Sequence, residues 1–232
     1  MSADEAPSPP VDMVLSLDRE GTVHLLRTMR SHHVMPSFCY PWGFERAYLA
    51  LLRGACSLTL LDVPDDAVTD ELERRVRLLR DFTTVVVLAP RHIDVVSLLR
   101  AGAVNVLPRD TPPMELTSRL IAEHRWLVLS AARSGLRAAP SRSEQVPQPR
   151  QMSQQVLFGL LSSATHPWCC HDLCLLLGQG PTPLSKRALQ ARMMRLAERL
   201  SEDGMSVLSS HQWGRTTYVG IHEIPVRQHE GR

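Results

Sequence analysis

The chain has 232 residues, of which 44% are hydrophobic and 22% charged, and its net charge is +2. This length suits two domains of roughly 100 residues each, and the composition is that of a globular protein rather than a disordered or fibrous one. No apolar run approaches the ~18 residues of a membrane span, and no basic segment followed by an apolar one opens the chain. We therefore expect a cytoplasmic protein that does not contact the membrane.

The amino-terminal half alternates short apolar runs with helical patterns. Residues 1–10 are rich in proline, serine and acids, which predicts a disordered tail. The patterns predict strands at 13–17, 37–40, 58–63, 84–89 and 104–107, and helices at 22–30, 44–53, 69–80, 94–100 and 113–129. Five strands alternating with five helices predict a parallel sheet covered by helices on both faces.

A predicted linker, residues 131–151, follows with three prolines, four arginines and no apolar periodicity. Beyond it, a helix is predicted with Ser153 as its N-cap and a packing face of Val156, Leu157, Leu160, Leu161 and Ala164. A second helix is predicted to begin at Trp168. Its Cys170, His171 and Cys174 have the spacing of ligands for Zn²⁺ or a cluster. No second ligand pair exists at finger spacing, so reduced core thiols explain the cysteines more simply than a metal site.

The densest positive charge of the chain lies in residues 184–200. A helical wheel places Leu189, Met193, Leu196 and Leu200 on one stripe and basic side chains on the opposite face. Ser185 is a suitable N-cap, and Gly204 stands just beyond the end. Two alternating segments, 206–211 and 216–221, follow with a glycine turn between them, which predicts a β-hairpin.

Helix, helix, basic helix and hairpin is the order of a winged helix-turn-helix domain. In this order of elements, residues 153–221 resemble the C-terminal effector domain of the OmpR/PhoB response regulators. The resemblance rests on the patterns MSQQ with LFGLL (152–161), HDLCLLLG (171–178), RLAERL (195–200) and WGRTTY (213–218). It implies a DNA-binding domain over 152–224, followed by a tail at 225–232.

Residues 11–130 resemble the receiver domain of the same regulators, which has a flavodoxin-like (βα)5 fold. The matching strings are 58–64, 101–103 and 112–116. The resemblance implies that Asp62 is the phosphoacceptor and that Asp18 is one of the acidic pair that holds Mg²⁺. It also places Arg109 where the family has a lysine.

The receiver chemistry departs from the family pattern at several of these positions. Asp18 is flanked by Leu17 and Arg19, so one carboxylate is missing, and Ala89 and Val106 stand at the two switch positions. The planar guanidinium of an arginine does not replace the point charge of a lysine. We therefore predict a degenerate receiver that ordinary phosphorylation does not switch.

Two roles for such a receiver follow. It serves as a dimerisation scaffold, or it also senses a small-molecule effector in a pocket near Asp18, Asp62 and Arg109. A conventional regulator phosphorylated at Asp62 is the alternative. By the resemblance, residues 94–129 would form the homodimer contact.

Side-chain chemistry assigns roles on double-stranded DNA. Four residues are predicted to approach base edges: Arg187, Gln190, Met194 and Arg195. Four others are predicted to contact phosphates: Lys186, Arg192, Arg199 and the hairpin residue Arg215.

The sequence thus predicts a DNA-binding transcription regulator that requires no cofactor, with RNA polymerase as a further candidate partner. An enzyme is not expected because the chain has no G-x-G-x-x-G motif, P-loop or nucleophile elbow. A signalling adaptor that docks its basic helix on an acidic protein is the other alternative.

Overall fold

The structure, a computed structural model, describes residues 9–134, 151–163 and 166–223. Most of the predicted amino-terminal tail and linker, the predicted tail at 225–232, and Ala164 lie outside the described residues. The chain divides into two compact units, residues 1–42 with 53–141 and residues 43–52 with 142–232. We refer to these as the amino-terminal and the carboxyl-terminal unit. Within the described ranges, no helix combines the length and the apolarity needed to cross a membrane.

A five-stranded parallel sheet forms the centre of the amino-terminal unit. Its strands are β1 (Met13–Ser16), β2 (Phe38–Pro41), β3 (Leu58–Asp62), β4 (Thr84–Ala89) and β5 (Asn105–Pro108). Neighbouring strands are parallel, in the order β2-β1-β3-β4-β5. That is the strand order of flavodoxin-like, doubly wound sheets, so the predicted receiver-type α/β fold is confirmed.

Four helices complete this unit: α1 (Arg19–Ser31), α3 (Thr69–Leu79), α4 (Val95–Ala101) and α5 (Pro113–Ser134). Helix α1 begins earlier than predicted because Asp18 caps it, accepting a hydrogen bond from Glu20 N at 3.0 Å. Helix α5 continues into the predicted linker. Helix α2 (Glu45–Leu52) follows β2 along the chain but groups with the carboxyl-terminal unit.

Apolar side chains on one face of the sheet pack with α1 and α5. Leu58 and Leu60 of β3 belong to this cluster with Leu25 of α1 and Leu120 of α5. Leu61, the residue after Leu60, points to the opposite face of the sheet and is also fully buried. Burial on both faces explains why the strands read as continuous apolar runs, and it leaves the strand ends as the place for polar groups.

The carboxyl-terminal unit combines helices with a small antiparallel sheet. Its further elements are α6 (Met152–Ser162), β6 (Trp168–Cys169), α7 (Cys170–Leu176), α8 (Lys186–Glu202), β7 (Met205–Gln212) and β8 (Arg215–Glu223). The strands lie in the order β6-β8-β7. Helix α2 packs against α6, where a Cβ on Gly159 would lie 2.8 Å from Leu52 Cδ1. Glycine at that position therefore permits the close approach.

The predicted basic helix and hairpin are present. All four residues of the predicted apolar stripe of α8 are buried. The Ser185 hydroxyl accepts a hydrogen bond from Ala188 N at 3.2 Å, as predicted for the N-cap. Gly204 has a φ of +71°, a conformation that glycine adopts without steric cost.

The predicted start of α6 is wrong. Gln151, not Ser153, occupies the N-cap position, and its side chain makes no capping hydrogen bond. The helix begins at Met152, so Ser153 is its second residue and lies inside the first turn rather than at the cap.

The predicted start of the second helix is also wrong. Trp168 and Cys169 form β6 and pair with Tyr218 and Thr217 of β8, and α7 begins only at Cys170. The free edge of β8 offers backbone hydrogen-bond partners to this short segment. Such a partner, distant in sequence, overrides the local helical pattern.

Candidate functional site

The carboxyl ends of β1, β3 and β5 bring together the three acidic and basic residues that the sequence singled out. Asp18 follows β1, Asp62 ends β3 and Arg109 follows β5. The backbone holds these ends in register, since Leu17 N donates to Asp62 O at 2.9 Å and Arg109 N to Ala89 O at 2.9 Å. In open α/β sheets this edge is where ligands bind.

The Arg109 guanidinium lies between the carboxylates. Its Nη2 donates to Asp18 Oδ2 at 2.7 Å, its Nε lies 3.3 Å from Asp62 Oδ1, and its Nη1 lies 3.9 Å from Asp65 Oδ1. The Arg109 side chain is 20% exposed and that of Asp62 is 0% exposed. One arginine thus neutralises part of the charge of three carboxylates, of which Asp62 is fully buried.

Two hydroxyl groups hold the other oxygen of Asp62. Thr22 Oγ1 donates to Asp62 Oδ2 at 3.0 Å, and Ser16 Oγ lies at 3.4 Å from the same oxygen. Ser16 Oγ also accepts from Asp18 N at 3.0 Å. Asp62 Oδ1 is buried and has no hydrogen-bond partner among the described residues. The cation close to this oxygen is the guanidinium of Arg109, at 3.3 Å.

The two carboxyl groups respond oppositely to this environment. The hydrogen bond from Arg109 lowers the pKa of Asp18 below its ordinary value. Burial raises the pKa of Asp62, and it outweighs the opposing attraction of Arg109. Asp18 is therefore the firmly ionised partner of the arginine, whereas ionisation of the buried Asp62 is unfavourable.

Sequence reasoning missed four residues of this cluster: Ser16, Gly21, Thr22 and Asp65. A Cβ at Gly21 would overlap Arg109 Nη2, so glycine leaves the space in which Arg109 meets Asp18. No signal in the sequence marked Gly21 and Thr22, because the helix was predicted to begin only at residue 22, whereas in the structure both lie in its first turn, which Asp18 caps. Asp65 lies in the loop after β3, and its side chain is 86% exposed.

The cluster does not fit the Mg²⁺ ion that a receiver fold implies. Mg²⁺ needs near-octahedral oxygen ligands at 2.0–2.1 Å. Here the guanidinium of Arg109 already contacts Asp18 Oδ2 and Asp62 Oδ1, and Leu17 supplies no second carboxylate beside Asp18. A cation at this point would have to displace the arginine first.

A second candidate site is the solvent face of α8. Exposed side chains there include Lys186, Arg187, Gln190, Met194 and Arg195, while Arg192 and Arg199 are half-buried beside the apolar stripe. Arg215 is exposed at the start of β8. The eight residues that the sequence assigned to DNA all lie in this unit.

Three arginines of other helices form an ion pair within their own helix, whereas, among the residues that the structure describes, none of the arginines of α8 does. In α3, Arg75 and Arg77 each pair with a glutamate one turn earlier, at 2.6 Å, and Arg119 of α5 does the same. Within the part of the chain that the structure describes, no basic side chain of α8 lies within 4 Å of a carboxylate. None of these basic groups is therefore neutralised by a direct ion pair among the described residues.

The cysteine segment does not form a multi-ligand cluster. Cys169 Sγ accepts from Asp172 N at 3.3 Å and so caps α7. Burial raises the pKa of Cys174 to about 11, so this thiol stays protonated at neutral pH. No group of three potential metal ligands occurs among the described residues.

Apolar side chains are exposed in the segment that the resemblance assigned to dimer contact. Val95, Val96 and Leu99 of α4 are 44–52% exposed, and Trp126 of α5 is 61% exposed.

No protein-family model matches the chain, and no curated protein matches it. Among solved structures, the chain is similar to the signal receiver domain of NarL from Mycobacterium tuberculosis, at 18% identity and a TM-score of 0.39, covering 51% of this chain and 98% of that one. It is also similar to a LuxR family DNA-binding response regulator from Silicibacter pomeroyi, at 19% identity and a TM-score of 0.34, covering 52% and 93%.

A third solved structure extends over more of the chain. It is the response regulator ChrA of a heme-sensing two-component system, at 15% identity and a TM-score of 0.36, covering 82% of this chain and 89% of that one. At such identities and scores, the assignment of a receiver-type fold rests on the strand order β2-β1-β3-β4-β5 rather than on these similarities.

Proposed function

We propose that the protein is a sequence-specific DNA-binding regulator of transcription whose receiver-type unit is not controlled by aspartate phosphorylation. The observation that carries this proposal is the basic face of α8, whose cationic side chains form no direct ion pair among the described residues. This helix is fixed by a buried apolar stripe on one side and presents unpaired arginines on the other.

The dimensions and order of the elements support DNA as the partner. Helix α8 has 17 residues, which corresponds to about 25 Å, and the major groove of B-DNA, about 12 Å wide, admits a helix. Helices α6 and α7 precede α8, and the β7–β8 hairpin follows it. We interpret this order as a winged helix-turn-helix, with α8 as the recognition helix.

The exposure of individual side chains refines the predicted roles. Arg187, Met194 and Arg195 stand on the face opposite the buried stripe, where base edges would lie. Arg192 and Arg199 flank the stripe and are half-buried, which suits contact with the phosphates at the rim of a groove.

The Arg109 cluster supports the regulatory part of the proposal. Formation of an acyl phosphate requires access to a carboxylate oxygen of Asp62, but this side chain is 0% exposed. Hydroxyls of Thr22 and Ser16 contact one oxygen, and Arg109 lies against the other. The arginine thus occupies the space in which a phosphoryl group and its cation would have to assemble.

Homodimer formation through residues 94–129 is part of the same proposal. The exposed apolar side chains of α4 and α5 support it, since two copies of the chain would each bury them. A dimer would present two α8 helices to two half-sites about one helical turn apart. A small-molecule effector and RNA polymerase stay predictions from the sequence.

Salt-dependent gel shifts test the DNA-binding function. The full chain is titrated with duplexes enriched from a random pool and with mixed-sequence duplex at several salt concentrations. We expect a steep loss of affinity with salt, because neutralised phosphates release counterions. Arg187→Ala and Arg195→Ala should each weaken the enriched duplex by about 1–3 kcal/mol and reduce selectivity.

Arg77→Ala is the matched control because Arg77 is an exposed arginine of α3 that is paired with Glu73. It should leave DNA affinity unchanged. Failure of the full chain to shift any duplex at low ionic strength would overturn the proposal and favour a protein-binding adaptor. Equal losses on enriched and mixed-sequence duplex would remove only the base-reading roles of Arg187 and Arg195.

A further inference from the structure

The tip of the β7–β8 hairpin carries a tryptophan that the fold does not use. Gln212 pairs with Arg215, so Trp213 and Gly214 form a two-residue loop. The Trp213 side chain is 99% exposed, whereas Trp42 and Trp168 are 1% and 3% exposed. The largest apolar side chain of the hairpin thus projects entirely into solvent.

The backbone of this loop makes tryptophan an unfavourable choice there. Trp213 has a φ of +50° and Gly214 a φ of +71°. Positive φ at both loop residues is the geometry of a type I′ turn, in which asparagine, aspartate or glycine is preferred at the first position. A bulky residue with positive φ is rare and strained.

Nothing in the described part of the chain compensates for this strain. No hydrogen bond, ring contact or cation contact of the Trp213 side chain is present among the described residues. A residue that violates both the turn preference and the preference of apolar groups for the interior points to a role outside the fold. That role is contact with another molecule.

The charge of the hairpin indicates what this molecule is. From 205 to 222 the sequence contains no aspartate or glutamate, and Arg215 is exposed immediately after the turn. His211 and Gln212, just before the turn, are also exposed. An aromatic side chain surrounded by cationic and neutral polar groups, without an acid, suits a polyanion with stacked rings.

We propose that Trp213 is a DNA-contacting wedge, whose indole enters the minor groove beside the major groove that α8 occupies and packs against a base step. This inference rests on the proposed DNA-binding function. Apolar side chains that enter the minor groove in this way partly unstack a base step. The steps that unstack most readily are pyrimidine–purine steps such as TA and CA.

If Trp213 contacts DNA in this way, the hairpin contributes to the recognition of DNA sequence in addition to α8. Duplexes enriched by the full chain should carry a TA or CA step at a fixed distance from the sequence that α8 reads. Arg215 would contact the adjacent phosphate and hold the tip in place. The minor groove offers few base-specific contacts. Trp213 would therefore distinguish between DNA sequences by how easily the base step that it contacts is deformed.

The test uses the full chain, the enriched duplex and three proteins: wild type, Trp213→Asn and Trp213→Phe. Asparagine suits the turn, so Trp213→Asn should fold at least as stably as wild type yet bind about tenfold more weakly. Phenylalanine keeps an aromatic ring and should retain most of the affinity. On binding, 2-aminopurine placed at the flexible step should brighten with wild type and stay dim with Trp213→Asn.

Two outcomes would overturn the inference. If the wild-type chain binds the duplex but Trp213→Asn binds equally well, the tip does not contact DNA, while the proposed function stands. If no duplex shifts with the wild-type chain, both the proposed function and this inference fail.

Discussion

Arg109 and Asp18 form an ion pair, with Arg109 Nη2 donating to Asp18 Oδ2 at 2.7 Å, although 91 positions separate them in the sequence. The sheet creates this contact, because β1 and β5 end at the same edge. The pair keeps Arg109 over the buried carboxylate of Asp62. An internal cation therefore occupies the site at which a receiver would otherwise bind an external one.

Replacing Arg109 by methionine should destabilise the amino-terminal unit. The change leaves the fully buried Asp62 without its neighbouring cation. Breaking a buried pair by removing one partner typically costs about 3 kcal/mol or more. Urea unfolding followed by circular dichroism would measure the loss in the free energy of unfolding.

Arg91→Met provides the comparison for that experiment. Arg91 also pairs with an aspartate, Asp110 at 2.8 Å, but both side chains are exposed, at 74% and 60%. An exposed pair contributes little to stability, so this variant should unfold almost as wild type does. Equal effects of the two substitutions would show that the burial of Asp62 is not what makes Arg109 important.

Replacing Asp62 by asparagine should stabilise the protein increasingly as the pH rises. Burial raises the pKa of Asp62 above its ordinary value of 3.8, so the folded protein binds this proton more tightly than the unfolded chain does. The contribution of Asp62 to stability is therefore full below pH 3.8 and is lost as the pH rises through its folded pKa. Urea unfolding of both proteins at a series of pH values would reveal the growing difference.

Asp18→Asn should show the opposite dependence. The hydrogen bond from Arg109 lowers the pKa of Asp18 below 3.8, so its contribution is present above pH 3.8 and disappears as the pH falls through the folded pKa. The variant should be less stable than wild type at neutral pH and equal to it in strong acid. If the two variants followed the same pH profile, the assignment of distinct charge states to Asp18 and Asp62 would be wrong.

Incubation with a small phosphoryl donor and Mg²⁺ should leave the wild-type chain unmodified. Asp62 is enclosed by Thr22, Ser16 and Arg109, and the metal ligands that would activate a donor are incomplete. Intact-mass spectrometry would detect an added phosphoryl group. A stoichiometric adduct that is absent from Asp62→Asn would contradict the regulatory proposal and revive the conventional alternative.

Local patterns in the sequence identified most secondary-structure elements because their apolar periodicity follows burial. The stripe of α8 and the apolar run of β3 are examples, and both are buried as predicted. The segment at Trp168 was misassigned because its partner, β8, lies about fifty positions further along the chain. A two-residue strand is too short to show a periodicity of its own.

The candidate site was only partly visible in the sequence. Asp18, Asp62 and Arg109 were found through the resemblance to receiver domains, which assigns a role to each of these positions. The roles of Gly21 and Thr22 depend on contacts made across the sheet edge, with Arg109 and with Asp62. Neither residue type signals such a contact by itself, so three-dimensional structure was needed to recognise them.

Replacing Arg215 by alanine should weaken every duplex to a similar extent. We assign this exposed side chain to a phosphate, and phosphates carry no sequence information. The slope of log affinity against log salt concentration should fall by about one. A loss confined to the enriched duplex would reassign Arg215 to base reading.

Replacing Val96 by aspartate should separate the proposed homodimer into monomers. Val96 is 52% exposed in the first turn of α4, where an acid is compatible with the helix dipole, so the variant should fold. A charge there would have to be buried without a partner in the dimer contact. Val68→Asp is the control, because Val68 is 63% exposed but lies outside 94–129. Light scattering coupled to gel filtration at micromolar concentration should report a dimer for wild type and Val68→Asp and a monomer for Val96→Asp. A monomeric wild-type chain, or dissociation by both substitutions alike, would rule out this surface as the dimer contact.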